Sequence, residues 1–295
     1  MFVTDSGQVT VSYLVDLTGV VSEVEGSVTV LPAPPAPPLP PSPPPSPSQV
    51  SVSTVSELID AVGDSGVDKI LVGAGAYDFT SDMCGTSAVC INRALTIEAQ
   101  VPGSVVFDAK GGRRVFEIQS GGTAELIGLD ITGGSATSTQ GGGLLISGTA
   151  TLTNTNVYSN TARNGGGVYV DSNGVAYLGG CNIHDNTGGW RGGGLNIWGT
   201  ATLTNTNVYS NTATTGGGGG GHIDSNGVAN FEGCNIHDNT AYGLMGGALL
   251  IDGTASLTNT NVSSNTAQQG GGGLFIREGR TATLTNTNVY ENRAD

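Results

Sequence analysis

The sequence predicts an all-β protein, a parallel β-helix solenoid whose coils hold about 26 residues in three short strands. A Gly-rich step into a short apolar strand occurs six times, and an aliphatic-x-x-Asn step follows each one. The Asn residues that end these steps are separated by 26, 25, 28, 26 and 27 residues and are Asn160, Asn186, Asn211, Asn239, Asn265 and Asn292. A period in this range is typical of a solenoid whose coils stack on one another.

The composition suits a long, narrow core. Charged residues make up 12% of the chain and aromatic residues 5%, while 49 of its 295 residues are Gly. The formal net charge of −14 argues against binding to nucleic acid or to anionic lipid surfaces. No run of about 18 apolar residues occurs, so no membrane span is predicted. The first residues carry no recognisable secretory signal, so either the protein is not secreted or its natural N-terminus lies upstream.

Four segments follow one another along the chain. Residues 1–30 alternate as β-strands do and predict a strand-forming arm or the end of a larger domain. Residues 31–48 are mostly Pro and Ser and predict a stiff polyproline II linker. Residues 49–114 predict an N-terminal cap with a short helix and the first coils, because Thr54-Val-Ser-Glu57 has the spacing of a capping box. Residues 115–295 are the repeated coils.

Each repeated coil divides into three predicted strands. The first is the Gly-Gly-Gly-Leu-x-Ile segment, the second is Ala150–Leu152 and its counterparts, and the third ends at an Asn such as Asn160. Alternation sends five side chains of one coil inward, namely Leu144, Ile146, Ala150, Leu152 and Val157. We expect the six Asn residues to form an internal amide ladder at a turn that tolerates the left-handed backbone conformation.

The four cysteines are of two kinds. Cys84 and Cys90 lie six residues apart, which favours a local disulfide in an oxidising compartment over two free thiols. Cys181 and Cys234 occupy the same place two coils apart, about 9.6 Å at the spacing of stacked strands. That distance is too long for a disulfide, so we expect two small buried core residues.

Three resemblances extend this interpretation. The order helix, strand, Gly-x-Tyr, loop, strand in residues 49–114 resembles the N-terminal cap of pectate-lyase-like β-helices, which implies right-handed winding. The repeats of residues 115–295 resemble those of the polymorphic outer membrane protein family, extracellular β-helical adhesins, although Val157 and its counterparts stand where Phe is usual. Membrane anchoring is not carried over from that family. The segment Ser42–Pro47 resembles hydroxyproline-rich glycoproteins of algal and plant cell walls, which implies an extracellular, O-glycosylated location.

Near-identical coils alternate in pairs. Asp171-Ser-Asn-Gly and the Cys181 strand recur 53 residues later as Asp224-Ser-Asn-Gly and the Cys234 strand. The pattern stops at Asp295 without a polar cap, which predicts a fragment, a continuation into a partner or end-to-end self-association.

An enzymatic alternative requires clustered carboxylates with a basic residue, as in sugar-cleaving β-helices. The position after the first strand carries Ser147, Asp171, Trp198, Asp224 and Asp252. Asp224 and Asp252 are expected on adjacent coils, roughly 5 Å apart, where like charges raise a pKa or recruit a cation. The nearest basic candidates, Arg277 and Arg280, lie one coil further along. The pattern therefore favours a solvated turn edge over a lyase site, with a weak Ca²⁺ or glycan contact as the third reading.

Two other surfaces are candidates for ligand binding. The segments between each Asn and the next Gly step vary most, and their Trp190, Arg191 and Tyr242 are our first choices for contact residues, beside Trp198, Asp224 and Asp252. The outside of the third strand carries a column that stacks on sugar rings or merely packs, namely Tyr158, His184, Tyr209, His237, Ser263 and Tyr290. Its two His residues are about 9.6 Å apart, too far to share a zinc ion.

The sequence thus favours a non-enzymatic, extracellular or cell-wall-associated β-helix with a structural or adhesive role and carbohydrate or a cell-surface component as its partner. A polysaccharide lyase or glycoside hydrolase of the same fold is the alternative. No catalytic residue and no cofactor is predicted, apart from the weak Ca²⁺ contact.

Overall fold

The computed structural model describes residues 8–11, 26–29 and 48–295, which belong to two compact units, Met1–Ser46 and Pro47–Asp295. In the first unit, Gln8–Val11 pairs antiparallel with Gly26–Thr29. The rest of the predicted arm of residues 1–30, and the predicted linker of residues 31–48 apart from Ser48, lie outside the described residues.

The second unit is a right-handed parallel β-helix with about 26 residues per coil and one short helix near its N-terminal end, as predicted. Four parallel sheets run along it, and we number them in the order in which the chain visits them in each repeated coil. Sheet 1 consists of Ser87–Ile91, Arg114–Ile118, Leu144–Ile146, Val168–Val170, Leu195–Ile197, Gly221–Ile223, Leu249–Ile251 and Leu274–Ile276. Sheet 2 consists of Gln49–Val52, Lys69–Val72, Ala94–Ala99, Thr123–Ile127, Thr149–Thr153, Val175–Gly179, Thr200–Thr204, Val228–Glu232, Thr254–Thr258 and Thr281–Thr285.

Sheets 3 and 4 complete the coil. Sheet 3 consists of Gly75–Asp78, Val105–Asp108, Leu129–Thr132, Asn156–Tyr158, Asn182–His184, Asn207–Tyr209, Asn235–His237, Asn261–Ser263 and Asn288–Tyr290. Sheet 4 consists of Ser135–Gln140, Thr161–Asn164, Thr187–Arg191, Thr212–Ala213, Thr240–Ala241, Thr266–Ala267 and Arg293–Ala294. The nine strands of sheet 3 correspond to nine coils.

Sheet 4 corrects the three-strand description of the repeated coil. The segments that we expected as loops after each ladder Asn begin with two residues that pair in register from coil to coil, as in Thr212–Ala213 with Thr240–Ala241. The small residue of each pair points into the core, and Ala213, Ala241 and Ala267 are buried. A two-residue strand is too short for alternation to reveal it, which is why the pattern predicted a loop.

The helix covers the first coil. It spans Val55–Gly63 and begins at Thr54, whose side chain accepts a hydrogen bond from the backbone N–H of Glu57 while Glu57 accepts one from the backbone of Thr54. This is the predicted capping box. Leu58, Ala61 and Val62 are buried against the first strands. No helix in the described part of the chain is long and apolar enough to span a membrane.

Like side chains stack in columns to make the core. In sheet 2, Leu152 pairs in register with Leu126 below it and Leu178 above it. All five side chains predicted to point inward in this coil are fully buried, namely Leu144, Ile146, Ala150, Leu152 and Val157. Each coil therefore completes the apolar surface of its neighbours, which is how a thin coil obtains a core.

The inner Asn residues form a continuous hydrogen-bonded ladder. In each step the backbone N–H and Nδ2 of one Asn donate to Oδ1 of the Asn on the next coil, and the Nδ2 to Oδ1 distances are 2.9–3.1 Å. The left-handed residue is the one before the Asn, with φ between 52 and 55°: Ser159, Asp185, Ser210, Asp238, Ser264 and Glu291. The expectation that the Asn itself occupies this conformation was wrong, because its side chain is used inside the core.

A second ladder lies beside the first and was not recognised in the sequence. Asn156 donates to Oδ1 of Asp130 at 2.6 Å, and each later Asn of sheet 3 donates to the Asn of the preceding coil. Its members are Asn156, Asn182, Asn207, Asn235, Asn261 and Asn288. They are partly exposed, so this ladder secures the surface of the coil and the first secures the interior.

The Gly-rich steps mark the turn from sheet 4 into sheet 1. Gly141 has φ 63°, a conformation that favours glycine. At Gly142 an added Cβ would lie 2.5 Å from the carbonyl oxygen of Thr161 and 2.6 Å from that of Gly166. Glycine is therefore required here by the close approach of neighbouring coils.

Candidate functional site

The outer face of sheet 1 carries a buried polar column. Tyr169, Asn196, His222 and Leu250 pair in register on successive coils. Because Leu195 and Ile223 on these strands point into the core, alternation directs Asn196 and His222 outward. Both are nevertheless buried, with 2% and 0% of their surface exposed, because flanking side chains cover them.

His222 is held through both ring nitrogens. Nδ1 lies 3.1 Å from Oδ1 of Asn196 on the preceding coil, and Nε2 lies 3.1 Å from Oδ2 of Asp252 on the following coil. The other oxygen of Asp252 accepts a hydrogen bond from Nε of Arg277 at 2.6 Å. We call Asn196, His222, Asp252 and Arg277 the His222 cluster.

The charge of Asp252 is stabilised inside this cluster. Burial would raise the pKa of its carboxyl group, but hydrogen bonds from His222 and Arg277, and the charges of these groups, hold the pKa well below its usual value. The same contact raises the pKa of Arg277. The expectation that like charge would raise an Asp pKa at this edge was therefore wrong for Asp252, because its contacts with His222 and Arg277 outweigh the effect of burial.

Asp224 lies at the accessible edge of the cluster. Its Oδ2 is 3.8 Å from Nδ1 of His222 and 3.9 Å from a guanidinium nitrogen of Arg191. Burial, with the charges of Asp171 and Asp224, raises the pKa of Tyr169 to about 12, so its phenol stays neutral. Carboxylates and Arg side chains thus meet here, since Arg191 approaches Asp224 and Arg277, from one coil further along, contacts Asp252.

Residues immediately after the sheet 1 strands form a row along the turn into sheet 2. These residues lie at equivalent positions on successive coils. The backbone N–H of Trp198 donates to the carbonyl oxygen of Val170, and that of Asp224 donates to the carbonyl oxygen of Ile197. We call this the turn row, and its members are Ser147, Asp171, Trp198, Asp224, Asp252 and Arg277. Trp198 is 38% exposed between the carboxylates of Asp171 and Asp224.

The predicted contact residues thus divide between two surfaces. Arg191, Trp198, Asp224 and Asp252 belong to or border the turn row. Trp190 and Tyr242 lie on the side of sheet 4 and are exposed. The sequence argument missed His222 and Asn196. The available signal was a polar residue in the middle of these two first strands, where Leu145, Leu250 and Phe275 are apolar.

The aromatic column of sheet 3 has a geometry that works against sugar stacking. The rings of Tyr158, His184, Tyr209 and His237 stack face to face, with centroids 4.7–5.1 Å apart and planes within 6° of parallel. Both faces of His184 and Tyr209 are therefore covered by neighbouring rings, and only their edges meet solvent. Of the two alternatives for this column, the structure shows the packing of its rings on one another.

The cysteines separate as their positions suggest. Cys84 and Cys90 form a disulfide, with Cα atoms 6.2 Å apart. Cys181 and Cys234 are buried, and burial raises the pKa of the Cys181 thiol to about 11. Within the described residues, Cys84, Cys90 and Glu117 form the one group of three potential metal-ligand atoms that lie within 4.8 Å of each other, and both thiols are used in the disulfide.

The repeated coil and its ladders define a parallel β-helix repeat protein. The family model for the right-handed β-helix region matches residues 142–295, and the chain belongs to this family. Among solved structures the chain is similar to pectate lyase Pel9A, at 15% identity over 81% of this chain and 72% of that one, with a TM-score of 0.49. It is also similar to a mutant of the PL6 family alginate lyase AlyGC, at 14% identity over 83% of this chain and 40% of that one, with a TM-score of 0.45. Both likenesses concern the fold. No curated protein matches the sequence.

Proposed function

We propose that this protein is an extracellular or cell-surface β-helix that binds carbohydrate along its turn row and serves as a structural or adhesive element. The observation that carries the proposal is the exposed indole of Trp198 between Asp171 and Asp224, one coil below and one coil above. The three positions are spaced at about 4.8 Å per coil, so an extended chain laid along the rod meets all of them.

Carbohydrate is the ligand class that suits these side chains. The apolar face of a sugar ring packs on an indole, while its hydroxyl groups donate to carboxylates and accept from a guanidinium. Asp171, Asp224 and the guanidinium of Arg191 supply these polar partners around Trp198. A neutral sugar also fits a chain with a formal net charge of −14 better than a polyanion such as nucleic acid does.

Binding fits the His222 cluster better than catalysis does. A general acid or base must reach the substrate, but His222 is completely buried and both of its nitrogens have protein partners. A carboxylate whose pKa is held low, as that of Asp252 is, makes a weak base. The cluster is therefore suited to fixing the shape of the surface that the ligand meets.

An extracellular location draws its support from the cysteines. The Cys84–Cys90 disulfide is of a kind that persists in oxidising compartments. The adhesive role rests on the rod-like repeat, which presents one surface at regular intervals.

A glycan array followed by calorimetric titration tests the proposal. Trp198→Ala is expected to weaken binding of the best neutral glycan by about tenfold or more, since loss of an aromatic contact removes stacking and buried area. Asp224→Asn keeps the shape and should weaken binding by a smaller factor. Tyr177→Ala removes an aromatic side chain with 48% exposure on sheet 2 and is the matched control. Equal losses in Trp198→Ala and Tyr177→Ala, or no glycan bound at all, would contradict the proposal.

A polysaccharide lyase or hydrolase remains the second candidate, because the structure brings Asp224, Asp252 and the half-exposed Arg277 together. An enzyme of this kind would cleave a polyuronate or a neutral polysaccharide, with or without Ca²⁺. The test is turnover by the intact chain and by Arg277→Ala in both conditions. Cleavage that Arg277→Ala abolishes would favour the enzyme over the binding protein.

A further inference from the structure

We propose that the outer side of sheet 4 holds a second binding site, built from Arg163, Trp190 and Thr137. The site is specific for an oxyanion group on a sugar, either a sulfate ester or a carboxylate. A shallow cavity of about 470 Å³ is lined by Thr137, Arg163, Gly189, Trp190 and Thr215. These residues come from four successive coils, in or next to the strands of sheet 4 and away from the turn row. The inference therefore goes beyond the proposed function and does not depend on it.

Arg163 is the unusual member of this cavity. Among the ten Lys and Arg side chains, it alone has no hydrogen bond or ion pair with another described residue. Its guanidinium carbon lies 5.5 Å from the centre of the Trp190 ring, so the charge is held over an aromatic surface. An uncompensated cation is notable on a chain whose formal net charge is −14.

A second guanidinium approaches the same ring. Arg191 lies 4.6 Å from the centre of Trp190, and its nearest carboxylate oxygen, on Asp224, is 3.9 Å away. The Nε of Arg191 is buried and has no hydrogen-bond partner among the described residues. Two like charges beside one indole repel each other, and an anion bound in the cavity beside Arg163 would relieve that repulsion.

The remaining lining groups suit an oxyanion. The planar fork of a guanidinium matches the paired oxygens of sulfate or carboxylate. The hydroxyl of Thr215 already donates to the carbonyl oxygen of Gly189 at 2.6 Å, which orders the floor of the cavity. The exposed hydroxyl of Thr137 is then the neutral donor that the cavity offers to a ligand.

The chain contains two Trp residues, so replacing Trp198 makes the fluorescence of Trp190 a direct reporter of binding at this cavity. In a Trp198→Phe background, fluorescence titration follows three disaccharides that differ only in carrying a sulfate ester, a carboxylate or no charge, and inorganic sulfate is the fourth probe. The charged sugars are expected to bind about tenfold more tightly than the neutral one, with affinity falling as salt is raised. The tighter of the two charged sugars identifies the source of the oxyanion.

Arg163→Gln is expected to remove this preference. Arg280→Gln is the matched control, because Arg280 is an exposed arginine whose one hydrogen bond is to the carbonyl oxygen of Ser225 at 3.5 Å. Equal binding of charged and neutral sugars, or equal effects of Arg163→Gln and Arg280→Gln, overturns the inference. Since neutral glycan binding at the turn row is measured separately through Trp198, failure here and failure of the proposed function are distinguishable.

Discussion

Nε2 of His222 lies 3.1 Å from Oδ2 of Asp252 on the following coil, and neither side chain is more than 8% exposed. This buried contact joins two coils, and His222 is the only His at its position in the sheet 1 strands. Arg277 extends it to a third coil through the 2.6 Å bond to Asp252. Polar contacts consequently stabilise the outer face of sheet 1 at the coil of His222, whose Gly-rich step differs from the Gly-Gly-Gly-Leu-x-Ile pattern.

Replacing Asp252 by Asn should destabilise the protein in a pH-dependent way. The folded pKa of Asp252 is depressed, so its charge contributes stability that is fully present above the unfolded value of about 4 and is lost progressively as pH falls from there through the lower folded pKa. We expect Asp252→Asn to lose about 3 kcal/mol at pH 7 and to approach the unsubstituted protein near pH 2. Urea unfolding at pH 7, 5, 3 and 2 measures this difference.

The control for that experiment is Asp238→Asn. Asp238 is 59% exposed and pairs with the neighbouring His237, so its replacement should change stability by about 0.5 kcal/mol or less. A deficit in Asp252→Asn that stays constant from pH 7 to pH 3 would show that its ionisation does not stabilise the fold.

Removing one inner ladder amide should cost more than removing an outer one. Asn211 is fully buried, donates to Ile183 and Asn239, and accepts from Asn186. Asn211→Ala leaves buried groups without partners on both sides, so we expect a loss of about 3 kcal/mol. Asn207→Ala, in the partly exposed ladder of the same coil, should lose about 1 kcal/mol. Comparable urea midpoints for the two variants would contradict the distinction between the ladders.

Two glycines in neighbouring coils should respond oppositely to alanine. At Gly142 an added Cβ meets backbone oxygens at 2.5 and 2.6 Å, which cannot move without opening the coil. At Gly179 the nearest atom is the carbonyl oxygen of Leu152 at 4.0 Å. Gly142→Ala should lower the thermal midpoint strongly, whereas Gly179→Ala should be neutral or stabilise by up to about 1 kcal/mol. A mild effect at Gly142 would mean that the turn is looser than it appears.

Cys181 should be chemically silent and replaceable by Thr. Its thiol is fully buried, its pKa is raised to about 11, and it lies 3.4 Å from the carbonyl oxygen of Leu152. The equivalent positions on adjacent coils are Thr155 and Thr206, which bond the corresponding carbonyls. We expect no labelling by a thiol reagent until the protein unfolds, and a stability change of about 1 kcal/mol or less in Cys181→Thr. Cys181→Leu overpacks the site and should cost about 2 kcal/mol.

The sequence predicted those parts of the fold that repeat. The recurrence of Asn160 and its counterparts, with apolar residues such as Leu152 at fixed offsets, was enough to predict stacked coils and the inward side chains. A periodic signal is strong because every coil repeats the same physical requirement. The short helix was readable for a different reason, since a capping box is a local interaction between Thr54 and Glu57.

The candidate site was less readable because its contacts are long-range and occur once. Asp224 and Asp252 were recognised as neighbours from the sequence. The imidazole of His222 lies between them, and it comes from a Gly-rich step that matches the repeat pattern poorly. The partners of Asp252 depend on the directions of the side chains of His222 and Arg277 on the two adjacent coils, which the repeat pattern does not predict. The left-handed turn was misplaced by one residue, from Ser159 to Asn160, because both residue types tolerate tight turns.

The two-coil duplication allows strands to pair in the wrong register while the chain folds. Near-identical strands 53 residues apart could each dock on the wrong template and still satisfy the apolar columns and both ladders. A slip between the coils of His222 and Asp252, or between those of Asp252 and Arg277, would break one of these contacts, because the residues two coils earlier are Tyr169, Trp198 and Asp224. The irregular coil thus favours the native register of the strands, because a mispaired coil loses polar contacts that the repeated residues alone cannot replace.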